Sequence, residues 1–214
     1  MTLNNREVNG EVNGTQDPLS KTSAYDLSIN NLQDLVSFVD TPAGLCVVSK
    51  ISAPAGAHFS YITSHAPQPS PTWKTIQTSA TTHTDPRSAL LYMNHSCEPS
   101  LEVNVFSPDA NGKYPKQPPT GSRNGEVLNI SELGLAGEVT VSGSRGIEPG
   151  DALTFFYPST EWNFDRAFDC LCGAPKDVCL GQVKGASAIE RQKLDKWFFN
   201  DHILKLAAKR DGLA

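Results

Sequence analysis

Short apolar runs, several of them alternating with polar residues, predict a chain built mostly of β-strands. Residues 44–48, 101–106 and 138–142 have the pattern of strands with one buried face. Residues 153–157, LTFFY, form a β-branched and aromatic run that predicts a buried strand. The turn-forming residues 53–57 suggest that the strands on either side of them pair as a hairpin. The pattern therefore predicts a mostly β protein with minor α content.

Two segments have helical periodicity. Residues 32–39 fit a helical face, but residues 36–39 also suit a strand, and the sequence leaves both interpretations open. Apolar positions between residues 189 and 206 predict one C-terminal helix, or two, with Ser187 and Glu190 at the spacing of a capping box. We expect this helical segment to pack on the β core; a dimerisation helix is the alternative.

Three polar stretches are not expected to form the core. Residues 1–24 carry a tandem EVNG and predict a disordered tail. Residues 61–88, rich in proline and threonine, and residues 108–125 predict loops. The histidines in or near the first of these loops are expected to be exposed or hydrogen-bonded rather than metal ligands: His58, His65 and His83.

Composition narrows the class of protein. A chain of 214 residues suits one domain with tails. It contains no long apolar run and no secretory pattern, so we expect a soluble intracellular protein, cytoplasmic or nuclear, with no membrane partner. A net charge of −5 disfavours nucleic-acid binding and permits a basic ligand. Five cysteines in a reducing compartment favour metal binding over disulfides.

The cysteine spacing predicts a zinc site. Cys170, Cys172 and Cys179 have the pattern C-x-C-x6-C, interrupted by a glycine and a proline that favour a tight turn. Three thiolates supply most of a tetrahedral zinc site, and Cys97, in NHSCEP, is the best candidate for the fourth ligand. Cys46 is expected to be a small buried apolar residue.

The order of these motifs is specific. NHSCEP, then GDALTFFY about fifty residues later, then C-x-C-G and C-L-G, resembles a SET-domain protein with a post-SET zinc knuckle. The resemblance implies a pseudoknotted β fold, a zinc knuckle and a C-terminal helix. It also implies S-adenosylmethionine as cofactor and methyl transfer to a protein lysine. The implied division is a tail at 1–24, the SET domain at 25–166, the post-SET knuckle at 167–186 and the C-terminal helix at 187–214.

The same resemblance implies roles for individual residues. Tyr157 would offer its hydroxyl to the reacting groups, and Phe155 would leave room for more than one methyl on the amine. The implied cofactor-binding residues are Asn94, His95, Gly44, Leu45, Phe168 and Trp162, with Phe164 as a further aromatic candidate. Tyr157, His95 and the aromatic residues could instead be ordinary core residues. The sequence departs from the family at Cys46, which replaces a glycine, at Leu91, which replaces an arginine, and at Phe156, which replaces an aspartate.

These observations predict an S-adenosylmethionine-dependent methyltransferase that acts on a lysine amine in a protein other than a histone. The short segment at residues 61–88 and the apolar Phe156 argue against a histone tail as substrate. Two other classes stay open. One is a SET scaffold in small-molecule, or secondary, metabolism, acting as a methyltransferase or as a cyclase in which the cofactor is structural or absent. The other is a non-catalytic binding module.

Overall fold

The computed structural model describes residues 32–41, 44–118, 130 and 132–213. The predicted tail at 1–24 and part of the predicted loop at 108–125 lie outside these residues. The strands are β1 Val36–Thr41, β2 Gly44–Ser49, β3 His58–Ile62, β4 Ala66–Gln68, β5 Ile76–Gln77, β6 His83–Asp85, β7 Asn94–His95, β8 Leu101–Val105, β9 Gly137–Val141, β10 Thr154–Phe155, β11 Phe168–Asp169 and β12 Gln182–Val183. The α-helices are α1 Leu32–Leu35 and α2 Asp201–Arg210, and the 3₁₀ helices are Ala89–Tyr92, Tyr157–Ser159, Ala186–Ala188 and Arg191–Lys196. The prediction of a mostly β protein with minor α content is confirmed.

The first hairpin differs from the predicted one. β1 and β2 pair antiparallel, with Val36 opposite Ser49 and Thr41 opposite Gly44, and α1 immediately precedes β1. Both interpretations of residues 32–39 are therefore partly right. The predicted pairing of the strands around residues 53–57 is wrong, because β3 pairs with β9 instead. That pairing places β3 beside β9, and both strands are almost completely buried.

The central sheet has the order β3–β9–β8 and forms the main core. Leu101, Val103, Val139 and Val141 are at most 1% exposed. A Cβ on Gly137 would lie 2.6 Å from the carbonyl oxygen of Asn104, so only glycine allows this close approach of the strands.

Residues 61–88 are more ordered than the predicted loop. β4, β5 and β6 form a small antiparallel sheet in the order β4–β6–β5. Buried hydrogen bonds support it: His65 Nδ1 lies 3.1 Å from Thr84 Oγ1, and His65 Nε2 lies 2.9 Å from the carbonyl oxygen of Gly134. His58 and His83 lie against carboxylates. The prediction that these histidines are exposed or hydrogen-bonded is confirmed for His58 and His65.

A parallel pairing joins two distant segments. β7 runs beside β10, with Asn94 opposite Thr154 and His95 opposite Phe155, and the Ser96 amide donates to the Phe155 carbonyl oxygen at 3.1 Å. Parallel neighbours need a long crossover connection. This meeting of segments is the one that the predicted pseudoknot requires. The predicted strand at 153–157 is shortened because a 3₁₀ helix with Pro158 in its first turn begins at Tyr157.

The C-terminal α-helix is shorter than the apolar pattern predicts, since only α2 is α-helical. The predicted capping box is wrong: Ser187 Oγ lies 2.6 Å from Asn163 Oδ1, and Glu190 pairs with Lys193 at 2.9 Å. Ile203 and Ala207 are buried, which confirms packing on the core. None of the helices within the described ranges has the length and hydropathy to span a bilayer.

A buried asparagine fastens the start of α2 to the β structure. Asn200 Nδ2 donates to the carbonyl oxygens of Val103 at 2.8 Å and Ser159 at 2.9 Å. Its Oδ1 accepts from the Val105 amide at 2.8 Å. One side chain therefore ties β8, the segment after Tyr157 and α2 together.

Candidate active site and zinc centre

Four cysteine side chains converge on one point. Cys97 follows β7, and Cys170, Cys172 and Cys179 lie between β11 and β12. Their Sγ atoms all lie within 4.8 Å of one another, with Cys97 to Cys170 at 3.9 Å and Cys172 to Cys179 at 4.0 Å. A tetrahedral zinc with Zn–S bonds of about 2.3 Å has sulfurs about 3.8 Å apart. The donor set and spacing fit one structural zinc, as predicted.

The surroundings of the sulfurs support the same assignment. The Leu180 amide donates to Cys97 Sγ at 3.3 Å, and the Gly181 amide donates to Cys179 Sγ at 3.4 Å. Such hydrogen bonds stabilise thiolate ligands. Trp197 Nε1 donates to the Cys97 carbonyl oxygen at 2.8 Å. Cys46 is buried in β2 and is not part of the cluster, as predicted.

Without a cation, the thiols of Cys97 and Cys170 would remain protonated at neutral pH. Burial raises the pKa of Cys97 far above its usual value, and burial raises that of Cys170 to about 11. At Cys172 burial acts in the same direction, but backbone and side-chain hydrogen bonds outweigh it and lower the pKa to about 7. A divalent cation with a preference for sulfur is the group that stabilises four thiolates here.

Tyr157 lies at the start of the 3₁₀ helix that follows β10. Its hydroxyl donates to the Met93 carbonyl oxygen at 2.8 Å, which places two oxygens side by side. Burial raises the pKa of Tyr157 to about 12, so the hydroxyl stays protonated at neutral pH. Phe155 packs against it, with ring centroids 4.7 Å apart. The structure thus brings the two predicted catalytic residues together.

His95 connects Tyr157 to the cysteine cluster. Its Nδ1 accepts a hydrogen bond from the Tyr157 amide at 3.2 Å, so the ring proton belongs on Nε2. Nε2 lies 3.5 Å from Cys97 Sγ. Burial lowers the pKa of His95 to about 4, which keeps the ring neutral. The His95 imidazole therefore contacts both the backbone of Tyr157 and the sulfur of the zinc ligand Cys97.

A group of half-buried rings, the aromatic group, surrounds His95: Tyr157, Phe164 and Phe168. Neighbouring centroids in it are 5.3–6.2 Å apart. Asn94 is exposed beside it on β7. Flat apolar rings next to exposed polar groups fit the adenine and amino-acid ends of S-adenosylmethionine.

The remaining predicted cofactor residues are placed differently. The Trp162 ring lies 5.7 Å from the Arg210 guanidinium and packs with the buried cluster around Phe156 rather than in the aromatic group. Gly44 and Leu45 lie at the start of β2, opposite Thr41 and Asp40. Gly44 has φ of 112°, and the space where its Cβ would stand is open, which suits a backbone approached by a ligand.

A narrow pocket of about 50 Å³ opens on one side of Tyr157. Its walls are largely apolar, and they are formed by Ile62, Trp73, Lys74, Thr75, Ile76, Pro86, Leu90, Leu91, Met93, Val103, Phe155, Tyr157, Thr160 and Glu161. Largely apolar walls with a few polar groups are typical of sites that bind small molecules. Leu91, which stands where relatives of the family often have arginine, is one of the apolar residues of this wall.

Sequence reasoning did not identify Met93, Lys74 or Glu161 as part of the site. Met93 acts through its backbone carbonyl, which no side-chain pattern reveals. Glu161 is only 4% exposed although it is acidic. The sequence contains a hint of this burial, because Glu161 lies between the apolar run 153–157 and Trp162. A carboxylate with apolar neighbours on both sides is a candidate for a buried acid.

Comparison with known proteins finds similarity to a methyltransferase and to a solved structure. No protein-family model matches the chain. Methyltransferase flvH of Aspergillus flavus is 34% identical over 168 residues, which cover 78% of this chain and 77% of that relative. Among solved structures, KRYPTONITE in complex with mCHH DNA, an H3(1–15) peptide and SAH matches with a TM-score of 0.43 and 19% identity. That match covers 77% of this chain, which spans about a third (31%) of the KRYPTONITE chain.

Proposed function

The chain belongs to the same family as methyltransferase flvH, and from that premise we propose that it is a SET-domain enzyme that transfers a methyl group from S-adenosylmethionine to an amine nitrogen of a small, largely apolar molecule. The pocket beside Tyr157 is the observation that carries this proposal. It is apolar, bounded in volume and adjacent to the aromatic group. A cavity of this kind binds a compact ligand through its shape, with few polar contacts.

The fold of residues 61–88 favours a compact ligand over an extended peptide. Trp73, Lys74, Thr75 and Ile76 come from this segment and form one wall of the pocket. The small sheet thus covers the side of Tyr157 where a long peptide would need an open groove. Trp73 is 73% exposed while it lines the pocket, so it stands at the mouth.

The residues of this chain supply position and environment for the reaction. The cofactor, when bound, supplies a methyl group on a sulfonium. The aromatic group and Asn94 would hold its adenosine and amino-acid ends. The oxygens of Tyr157 and the Met93 carbonyl can accept weak C–H···O contacts from a methyl group and align it. Apolar walls exclude water from the nucleophile, and such preorganised positioning supplies most of the rate enhancement.

A lysine side chain of a protein other than a histone is the second candidate substrate. The same apolar walls would cover a four-carbon stem and present its amine to Tyr157. The methyltransferase relative favours methyl transfer over the cyclase and binding-module alternatives. We propose an intracellular location, because a site made of thiolates is most stable in a reducing compartment.

The test offers S-adenosylmethionine with a labelled methyl group to the zinc-bound protein, together with separated protein and small-metabolite fractions of the host. We expect label in an N-methyl group of a small molecule. Tyr157→Phe should abolish most of this labelling, whereas Tyr92→Phe, a half-buried tyrosine outside the pocket lining, should not. Label confined to protein lysines would contradict the small-molecule proposal and support the second candidate.

A further inference from the structure

Glu161 is a buried acid in the wall of the substrate pocket. It follows the 3₁₀ helix Tyr157–Ser159, and its side chain is 5% exposed. A buried carboxyl normally has a fully charged partner, because an isolated buried charge is costly. The nearest group with which Glu161 can form an ion pair, within the part of the chain that the structure describes, is His83. Such an acid in a cleft is a candidate for a functional role.

The contacts of Glu161 leave one oxygen available to a ligand. Oε1 accepts a hydrogen bond from the Gln77 amide at 2.5 Å. Gln77 Oε1 in turn accepts from the Trp162 amide at 2.9 Å, so the backbone around Glu161 is fixed. Oε2 lies 3.7 Å from His83 Nε2, which is longer than a hydrogen bond. The carboxyl is therefore positioned by Oε1, and Oε2 is free to bind a donor.

The pocket contains few other ionisable groups. Among the residues that line it, only Lys74, Tyr157 and Glu161 titrate. Lys74 is a cation, and the Tyr157 hydroxyl already donates to a carbonyl oxygen. Glu161 is therefore the one lining residue that can accept a proton from a ligand.

An amine substrate needs such an acceptor. Alkyl amines have pKa values near 10 and enter water-filled pockets as ammonium ions at neutral pH. Only the neutral amine has the lone pair that attacks a methyl group. A pocket with apolar walls also disfavours a cation unless an anion compensates for the lost hydration.

We propose that Glu161 binds the ammonium group of the substrate and accepts one of its protons before methyl transfer. This inference rests on the proposed function. As the ammonium binds, the Glu161 carboxyl first releases its own proton to solvent and becomes a carboxylate. An N–H bond of the ammonium then breaks and an O–H bond forms on Oε2, which leaves a neutral amine. The amine lone pair forms the new N–C bond while the electrons of the C–S bond stay on the sulfur of S-adenosylmethionine. The proton on Glu161 is afterwards released to solvent.

The charges around Glu161 suit this exchange. Burial, and to a smaller extent the charge of Asp165, raises the pKa of Glu161 to about 8, although the Gln77 amide acts in the opposite direction. Burial also lowers the pKa of His83, which keeps that ring neutral beside the carboxyl. The free pocket therefore contains a carboxylic acid at neutral pH, and an entering ammonium ion favours the carboxylate.

Two further groups complete the electrostatic surroundings. His202, on α2, places Nε2 3.4 Å from the Thr160 carbonyl oxygen, and burial lowers its pKa to about 4, so it is neutral. Lys74, on the opposite wall, has its Nζ 5.1 Å from the Trp73 ring. Lys74 is thus the one fixed cation of the lining, at the mouth of the pocket.

The matched variants are Glu161→Gln and Glu138→Gln. Glutamine at 161 keeps the acceptor for the Gln77 amide and removes the basic oxygen. Glu138 is equally buried and pairs with His58 at 2.7 Å, but it does not line the pocket. Glu161→Asp keeps a carboxyl and provides a second variant if the glutamine variant does not fold. Zinc content and Tm check the folding of all three.

The first measurement needs no cofactor. n-Butylamine is titrated calorimetrically into the zinc-bound protein at neutral pH in two buffers of different ionisation enthalpy. We expect the wild type, Glu161→Asp and Glu138→Gln to release close to one proton per amine bound, and Glu161→Gln to release none and to bind at least roughly tenfold more weakly. Failure of the wild type to bind n-butylamine, or equal proton release by Glu161→Gln, would overturn the proposal.

The second measurement is the pH dependence of methyl transfer to the acceptor fraction that the wild type labels. We expect Glu161→Gln to lower turnover roughly a hundredfold at neutral pH and to recover as the pH approaches the pKa of the amine itself. An unchanged pH profile would overturn the proposal. The wild type could instead release a proton on binding n-butylamine and yet transfer no methyl group. That result would contradict the proposed function but would still support Glu161 as an amine-binding site.

Discussion

Replacing Cys97 by serine tests whether the zinc holds the active site together. Cys97 supplies one of four converging sulfurs, accepts from the Leu180 amide and lies 3.5 Å from His95 Nε2. Changing groups that merely hydrogen-bond to a ligand already weakens metal binding by about 10–100-fold. Loss of the ligand itself should weaken zinc binding by at least about 100-fold.

Weaker zinc binding also lowers the stability of the folded protein, because zinc binds only the folded state. At a fixed free zinc concentration well above both dissociation constants, a 100-fold weaker site lowers the free energy of unfolding by about 2.7 kcal/mol. For a domain of this size the expected fall in Tm is roughly 5–11 °C. The variant should also lose cofactor binding, because His95 loses its sulfur neighbour and Tyr157 is positioned by His95.

The assay combines elemental analysis, competition with a colorimetric chelator and thermal unfolding at several zinc concentrations. Cys46→Ser is the matched control, since it makes the same atomic change at a buried cysteine outside the cluster. That control should lower stability by about 1–3 kcal/mol through burial of a hydroxyl, yet keep one zinc per chain. A Cys97→Ser protein with wild-type zinc affinity would refute the reasoning.

Three further perturbations have defined outcomes. Tyr157→Phe should leave cofactor affinity within a few-fold, measured by calorimetry, and cut turnover roughly a hundredfold, the scale of one oriented polar contact in a dry site; unchanged turnover would make Tyr157 structural. Asn200→Ala should lower the free energy of unfolding by about 3 kcal/mol in denaturant titrations, because three buried hydrogen bonds are lost, with zinc content unchanged; a loss below about 1 kcal/mol would contradict this. Glu161 has a folded-state pKa of about 8, above its ordinary 4.5, so it binds more protons folded than unfolded, and stability should fall as pH rises from 4.5 to 8, by at most about 5 kcal/mol; Glu161→Gln should flatten this fall, and an identical slope in both proteins would count against the burial of this acid.

The zinc site could be predicted because three of its four ligands lie close together in the sequence. Cys170, Cys172 and Cys179 lie within ten residues of one another, and few groups other than a metal require three thiols at that spacing. Cys97 was found through its motif rather than through its spacing. The pairing of β7 with β10 was not predicted; the resemblance implied only that these two segments meet in a pseudoknot. Tyr157 and Phe155 then lie together because they belong to one short segment.

The remainder depends on contacts that are distant in sequence. The partner of β3 is β9, a strand far along the chain, and local alternation does not encode which strands pair. The sheet within residues 61–88 is stabilised by buried hydrogen bonds such as His65 to Thr84 rather than by apolar periodicity. Glu161 enters the pocket wall through a contact with Gln77, 84 residues earlier. Hydrophobic patterns along the sequence do not predict contacts between polar groups that are distant in the chain.

The transfer of an isotope-labelled methyl group from S-adenosylmethionine, followed by nuclear magnetic resonance of the products, tests the central claim most directly. With zinc-bound wild-type protein and the host's small metabolites, the account predicts a labelled methyl on nitrogen in a small molecule, together with equimolar S-adenosylhomocysteine, and neither with Tyr157→Phe. Label on oxygen, carbon or protein lysine alone, or the absence of any transfer by protein that holds its zinc, would contradict it.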